Sequence, residues 1–278
     1  MDFTWYESAF YGLISGLTDI LPVSAHAHRL LLLKLYGETN DVAILRLFIH
    51  LGVFAAALFH CQPHILRMLR AKRLSRIPKR RRKRPLDTKS LMDYSLWKTM
   101  LLPVIFSFFL YEKVQVLESK LVWVSVFVLL SGLVLYIPQF FPSSNKDSRT
   151  LSRIEGLVVG AGGAFAIFPG VSGMGMAVSL AGLTGMERSY GFSMALLMNL
   201  AIWLGAAVFD LMAVIKMGLY GISFGAIVHC VLAAITAFTG AHMAIRFMLK
   251  LIQNRDYTIF AYYCWGLALF TFALNLIA

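Results

Sequence analysis

Six stretches of this chain, at about 42–60, 96–110, 121–141, 190–215, 226–249 and 257–277, are apolar over nearly the length a helix needs to cross roughly 30 Å of hydrocarbon. With 59% hydrophobic and only 14% charged residues, the chain lacks the polar surface to cover such runs in water. The expectation is an all-α integral membrane protein rather than a soluble domain. The first residues, Met1-Asp2-Phe3-Thr4-Trp5, have no basic start of a cleavable signal and read as part of the mature chain.

Charge sets the expected orientation. Twelve Lys and Arg fall in the segment 66–89, from Arg67 to Lys89, whereas the other 14 basic residues nearly balance 13 acids. A basic loop close to membrane spans resists translocation, so this segment reads as cytoplasmic. Because the excess charge of the +12 chain sits in one segment, anionic inner-leaflet headgroups are the expected partner, and nucleic acid is not. Counting spans from there puts 111–120 and 216–221 outside, 143–153 and 250–256 inside, and both termini outside. Lys146, Arg149, Arg153, Arg246, Lys250 and Arg255 agree with this count, against Lys113, Lys120 and Lys216. Cys61, Cys230 and Cys264 lie in or beside apolar runs with no spacing that suits a disulfide framework or zinc, and read as packing residues.

Two further apolar stretches, 6–33 and 156–183, are broken by Pro22 and by Pro169-Gly170. A helix does not run through such a break unkinked, and open backbone at membrane depth must be buried in protein or face a cavity. Both read as re-entrant hairpins, the first dipping from outside and the second from inside. Ile20-Leu21-Pro22-Val23-Ser24 resembles Ile167-Phe168-Pro169-Gly170-Val171-Ser172, and three spans follow each. The predicted fold is one membrane domain, 1–278, made of an inverted-topology repeat. Each half is a re-entrant helical hairpin plus three transmembrane helices, about 1–142 and 150–278. Such repeats place a polar site where the broken helices meet.

The first break concentrates Thr18, Asp19, Ser24, His26 and His28 in an apolar setting. Burying such groups is costly unless they are paired or functional. One reading has Thr18 and Ser24 capping helix ends and Asp19 pairing with Arg29; the other makes the cluster a site. Asp210, His229 and His242, in or near later spans, read as bonds to neighbouring helices.

The run Gly16-Leu17-Thr18-Asp19-Ile20-Leu21-Pro22-Val23-Ser24 followed by His28 resembles the first signature of the membrane-integral undecaprenyl-pyrophosphate phosphatases. Pro169-Gly170-Val171-Ser172-Gly173-Met174-Gly175 resembles their second signature, with similarity continuing through Gly185, Arg188 and Gly205, and Phe48-Ile49-His50-Leu51-Gly52 resembles a third stretch. The resemblance implies two re-entrant hairpins with six spans in a bacterial plasma membrane and a polyprenyl phosphate or pyrophosphate lipid as partner. It also implies removal of one phosphate with a divalent cation, magnesium or calcium, and leaves room for a homodimer. This chain departs from the signatures where they carry chemistry. Ser15 stands for the first family glutamate, Asp19 for the second, Ala25 for the second serine, and His26 and Ala27 for the threonine and glycine that follow. Gly173 stands for the phosphate-binding arginine and Met174 for the next serine.

A buried pyrophosphate needs cations or many N–H donors, and an arginine fork is the strongest single donor. The helix starts near Ser24 and Ser172 still aim N–H groups inward, and protonated His26 and His28 suit an anion. Expected phosphate-binding residues are His26, His28, Ser172, Gly173 and Gly175. The mechanism that remains has His28 attacking, or activating Ser24, with Asp19 orienting it or holding the metal. Three classes stay open: an altered phosphatase, a non-hydrolytic polyprenyl-phosphate carrier, and a silent binder of lipid or of another membrane protein.

Overall fold

The computed structural model describes residues 3–37, 43–141, 145–218, 223–252 and 257–277, and among them the regular structure is helical. The first hairpin consists of α1 (Trp5–Ile20) and α2 (Ala25–Leu35). Helix α1 opens on a capping box in which Thr4 and Glu7 satisfy each other's amides. It ends where Pro22 interrupts the chain, and α2 restarts with Ser24 as its cap, Oγ accepting from the Ala27 amide at 3.2 Å. The second hairpin repeats this plan. Helix α7 (Arg153–Ala164) has a Ser152/Glu155 capping box and the chain breaks at Pro169-Gly170. Helix α8 (Gly173–Leu183) is capped by Ser172, which accepts from the Gly175 amide at 3.1 Å. Gly170 adopts φ 104°, and a Cβ there would come 2.5 Å from the carbonyl oxygen of Val124, so the turn needs glycine twice over.

The spans are α3 (Ala43–Ser75), α4 (Thr88–Phe108), α6 (Leu121–Tyr136, extended to Phe140 by a 3₁₀ turn), α9 (Arg188–Met217), α10 (Phe224–Leu251) and α11 (Thr258–Ile277). Five are long and apolar enough to cross a membrane individually. The sixth is α4 together with the short α5 (Tyr111–Gln115) and the 3₁₀ turn after it, bent from α4 by 60°. The protein is a multi-pass membrane protein. All three cysteines are buried and unbridged.

Two expectations are corrected. Helix α3 has 33 residues and is about 50 Å long, so Arg67, Arg70, Lys72 and Arg73 form its last turns rather than a loop. The segment 111–120, read as an external loop, instead folds as α5 and its 3₁₀ turn and sends side chains toward the molecular centre. Of the connecting segments, 143, 144, 219–222 and 253–256 lie outside the described residues.

Packing crosses between the halves. Helix α1 lies against α10, α7 against α4, α3 against α9, and α6 against α11. The closest approaches use glycine. A Cβ added at Gly12 or Gly16 would stand 2.3 or 2.1 Å from the carbonyl oxygens of Ala233 and Ala237 on α10. One at Gly160 would meet the Met100 carbonyl of α4 at 2.3 Å, and one at Gly156 the Leu96 side chain at 2.7 Å. Both first arms therefore carry a Gly-x-x-x-Gly face on a span of the opposite half, the small-residue packing that lets backbones touch in a membrane.

At the end of the molecule that carries the basic segment, the buried Asp93 of α4 accepts hydrogen bonds from His64 Nε2 (3.1 Å), Tyr190 OH (2.9 Å) and Ser148 Oγ. This carboxylate ties the turn at 148 to α3, α4 and α9, with Lys89–Asp147 and Lys146–Glu155 ion pairs nearby. Asp87 caps α4, and the hydroxyl and amide of Ser90 hold its carboxyl below the ordinary range. At the other end Lys216 meets Glu112 at 3.2 Å.

Candidate functional site

The two hairpin breaks converge on one polar cavity of about 120 Å³. The first hairpin contributes Thr18, Asp19, Ala25, His26 and Arg29, and the second contributes 166–169 and 171–174. Spans close the remaining sides: Arg46 and His50 from α3, Asn199, Trp203 and Asp210 from α9, and Tyr111, Gln115 and Glu118 from the bent segment after α4.

Two charge networks occupy this space. Asp19 Oδ2 accepts from Arg29 at 3.0 Å, with both side chains almost withdrawn from solvent. Asp210 accepts from Arg46 Nε at 3.1 Å through one oxygen and lies 2.7 Å from His50 Nδ1 through the other. Asp210 is 3% exposed, so its charge is tolerable only because two donors meet it. His26 Nε2 approaches Glu118 at 3.7 Å, too far for a hydrogen bond, and that buried nitrogen has no hydrogen-bond partner among the described residues.

The sequence-predicted residues fall into two groups. Asp19, His26, Ser172 and Gly173 line the cavity. Ser24, His28 and Gly175 do not. Ser24 is buried as the cap of α2, and Gly175 spends its amide on Ser172 Oγ. His28 turns away, because one turn along α2 it faces α11. Its Nδ1 lies 2.6 Å from the Ser24 carbonyl, its Nε2 lies 2.6 Å from Tyr263 OH, and its ring stacks on Tyr263. The geometry gives His28 an anchoring place between α2 and α11, which departs from the expectation of a nucleophile or base. The reading that Asp19 pairs with Arg29 and Ser24 caps a helix matches the contacts, whereas Thr18 bonds back to Ile14 O at 2.8 Å instead of capping.

Arg46 and His50 escaped the sequence reading as site residues, and Asp210 was read only as a link to a neighbouring helix. The signal was there: an acid within a span requires a partner, and Arg46 and His50 stand four apart at the start of α3, on one helix face.

The expected divalent cation does not fit the donors present. Each cavity carboxylate already faces a cationic or imidazole group: Asp19 has Arg29, Asp210 has Arg46 and His50, and Glu118 has His26. Among the described residues no group of three His, Cys, Asp or Glu could hold a metal ion. The position of the first family glutamate, Ser15, is fully buried and its hydroxyl is unpartnered. A Cβ at Gly173 would stand 2.7 Å from Ala166 Cβ, so an arginine there requires that neighbour to move.

Residues 8–270 match the family model described as Bacitracin resistance protein BacA. Proteins named Undecaprenyl-diphosphatase are similar over nearly their whole length. That of Methanobrevibacter smithii is 28% identical, with 96% of each chain covered. That of Carboxydothermus hydrogenoformans is 27% identical over 94% of this chain and 93% of its own, and that of Halothermothrix orenii 26% over 94% of both.

Proposed function

Since this chain belongs to the BacA family, we propose that it handles a polyprenyl lipid carrying a terminal phosphate or diphosphate, as an undecaprenyl-diphosphatase does, and holds that headgroup in the central cavity. One observation carries the reading: the tips of two separate hairpins, each with a capped helix start, meet at a single polar cavity otherwise enclosed by apolar spans. A headgroup there faces the first amides of α8 beside Ser172 and Gly173, with His26 on the opposite wall.

The alternation of packing, α1 on α10 and α7 on α4, supports an inverted repeat with halves of about 1–142 and 150–278. In that arrangement the cavity end, with Glu112 and Lys216, faces outward from a bacterial plasma membrane, and the basic end of α3 lies in the cytoplasm against anionic headgroups.

Hydrolysis is slow in this reading. Ser24 lies off the cavity wall, His28 is held by Tyr263, and no base stands within hydrogen-bond range of Ser172 Oγ, so phosphoryl transfer lacks an activated nucleophile. The same observation favours carriage of the lipid phosphate between leaflets as a second reading. Purified protein should release phosphate from undecaprenyl diphosphate at a rate about two or more orders of magnitude below that of relatives with intact signatures. The combined replacement Ser15→Glu, Ala25→Ser and Gly173→Arg should raise it. In vesicles, a carrier relocates labelled undecaprenyl phosphate without releasing phosphate. Turnover equal to that of intact relatives would overturn the slow-hydrolysis reading, and absence of both turnover and lipid binding would overturn the function.

A further inference from the structure

We infer that this cavity neutralises a bound phosphate with its own arginines, Arg29 and Arg46, and binds it without a divalent cation. The inference rests on the proposed function and says how this particular chain would perform it. Wherever a phosphate enters a site shielded from water, its charge must be met by cations or by convergent N–H groups. A resident metal requires open carboxylates to hold it. Here Asp19, Asp210 and Glu118 already face Arg29, Arg46 with His50, and His26, so the carboxylates act to seat cationic groups.

The placement of the two arginines suits this role. Arg29 lies one helical turn beyond Ala25 on α2 and Arg46 enters from the first turn of α3, so they reach the cavity from different elements. Each guanidinium has five N–H donors, of which the contact with its aspartate uses a part, leaving donors for a planar, two-point contact with phosphate oxygens. Independently, His26 Nε2 is a buried cavity-wall nitrogen with no hydrogen bond among the described residues, the condition of a group whose partner is a ligand. Gly173 leaves the second signature without its arginine, and the positive charge has moved across the cavity to α2 and α3.

The test is equilibrium binding of farnesyl monophosphate to the full-length protein in nanodiscs, measured in excess EDTA and again with magnesium or calcium. The affinity should agree within about twofold across these conditions. Arg29→Gln and Arg46→Gln should each weaken it about ten- to a hundredfold, the loss expected for a charge-assisted hydrogen bond. Arg46→Lys should recover part of the loss, which guards against a variant that merely folds poorly. Asp19→Asn separates the two possibilities by sign: freeing Arg29 should retain or tighten binding, whereas removing a metal ligand should weaken it and abolish any response to cation. Binding that disappears in EDTA, or that persists unchanged in both glutamine variants, would overturn the arginine site while leaving the lipid-handling function intact. Failure to bind the prenyl phosphate with or without cation would overturn both.

Discussion

Single side chains decide what the first hairpin can do. His28 occupies the position where the resemblance expects chemistry, yet its two ring nitrogens and its face are all engaged by Ser24 and Tyr263. His28→Ala should therefore cost stability, about 1–3 kcal/mol for two lost hydrogen bonds in a low-dielectric setting, and should change phosphate affinity little. Tyr263→Phe should cost less, and in a double-mutant cycle the two should be strongly non-additive because they remove one shared contact. A large loss of affinity in His28→Ala with an unchanged melting temperature would put the imidazole back in the cavity. The sequence made Asp19, His26 and Ser172 legible because each sits at a proline break, where buried polar residues stand out. It hid Arg46, because an arginine at the start of a span reads as an interfacial residue until the aspartate 164 positions later is known to meet it.

Whole elements were easier to read. Each of the six predicted spans has a helix, and both predicted breaks fall at Pro22 and Pro169-Gly170, since proline and hydrocarbon length act locally. The end of α3 was not legible, because charge predicts which side a segment takes and not whether it stays helical; arginine and lysine are good helix formers. Also overlooked were the two Gly-x-x-x-Gly faces, Gly12/Gly16 and Gly156/Gly160, which a search for small residues four apart would have found. They predict that Gly16→Leu or Gly160→Leu separates a hairpin from the opposite half. Since the neighbour is a backbone carbonyl with nowhere to go, the cost should be at least about 1–3 kcal/mol, read as a lowered melting temperature in detergent, while Gly37→Ala, with nothing within 4 Å, should be tolerated far better. Equal stability of Gly16→Leu and the parent protein would contradict the close crossing of α1 and α10.

For the molecule as a whole, the ion pairs sort residues by end: Glu112 with Lys216 at one, Lys89 with Asp147 and Lys146 with Glu155 at the other. A cysteine at Glu112 should react with an impermeant thiol reagent on intact cells, and one at Ser75 only after the membrane is opened; the reverse pattern would invert the orientation. The crossed packing of the hairpins has a kinematic consequence. Each first arm is interlocked backbone-to-backbone with a span of the opposite half, with no layer of side chains to shear, so α1 moves with α10 and α7 with α4 as rigid struts. The degrees of freedom left to the hairpins belong to their second arms, α2 and α8, hinged at Pro22 and Gly170. Those are the arms that carry Arg29 and the open amides of the cavity, so any gating of the headgroup reduces to rotation about two prolyl hinges.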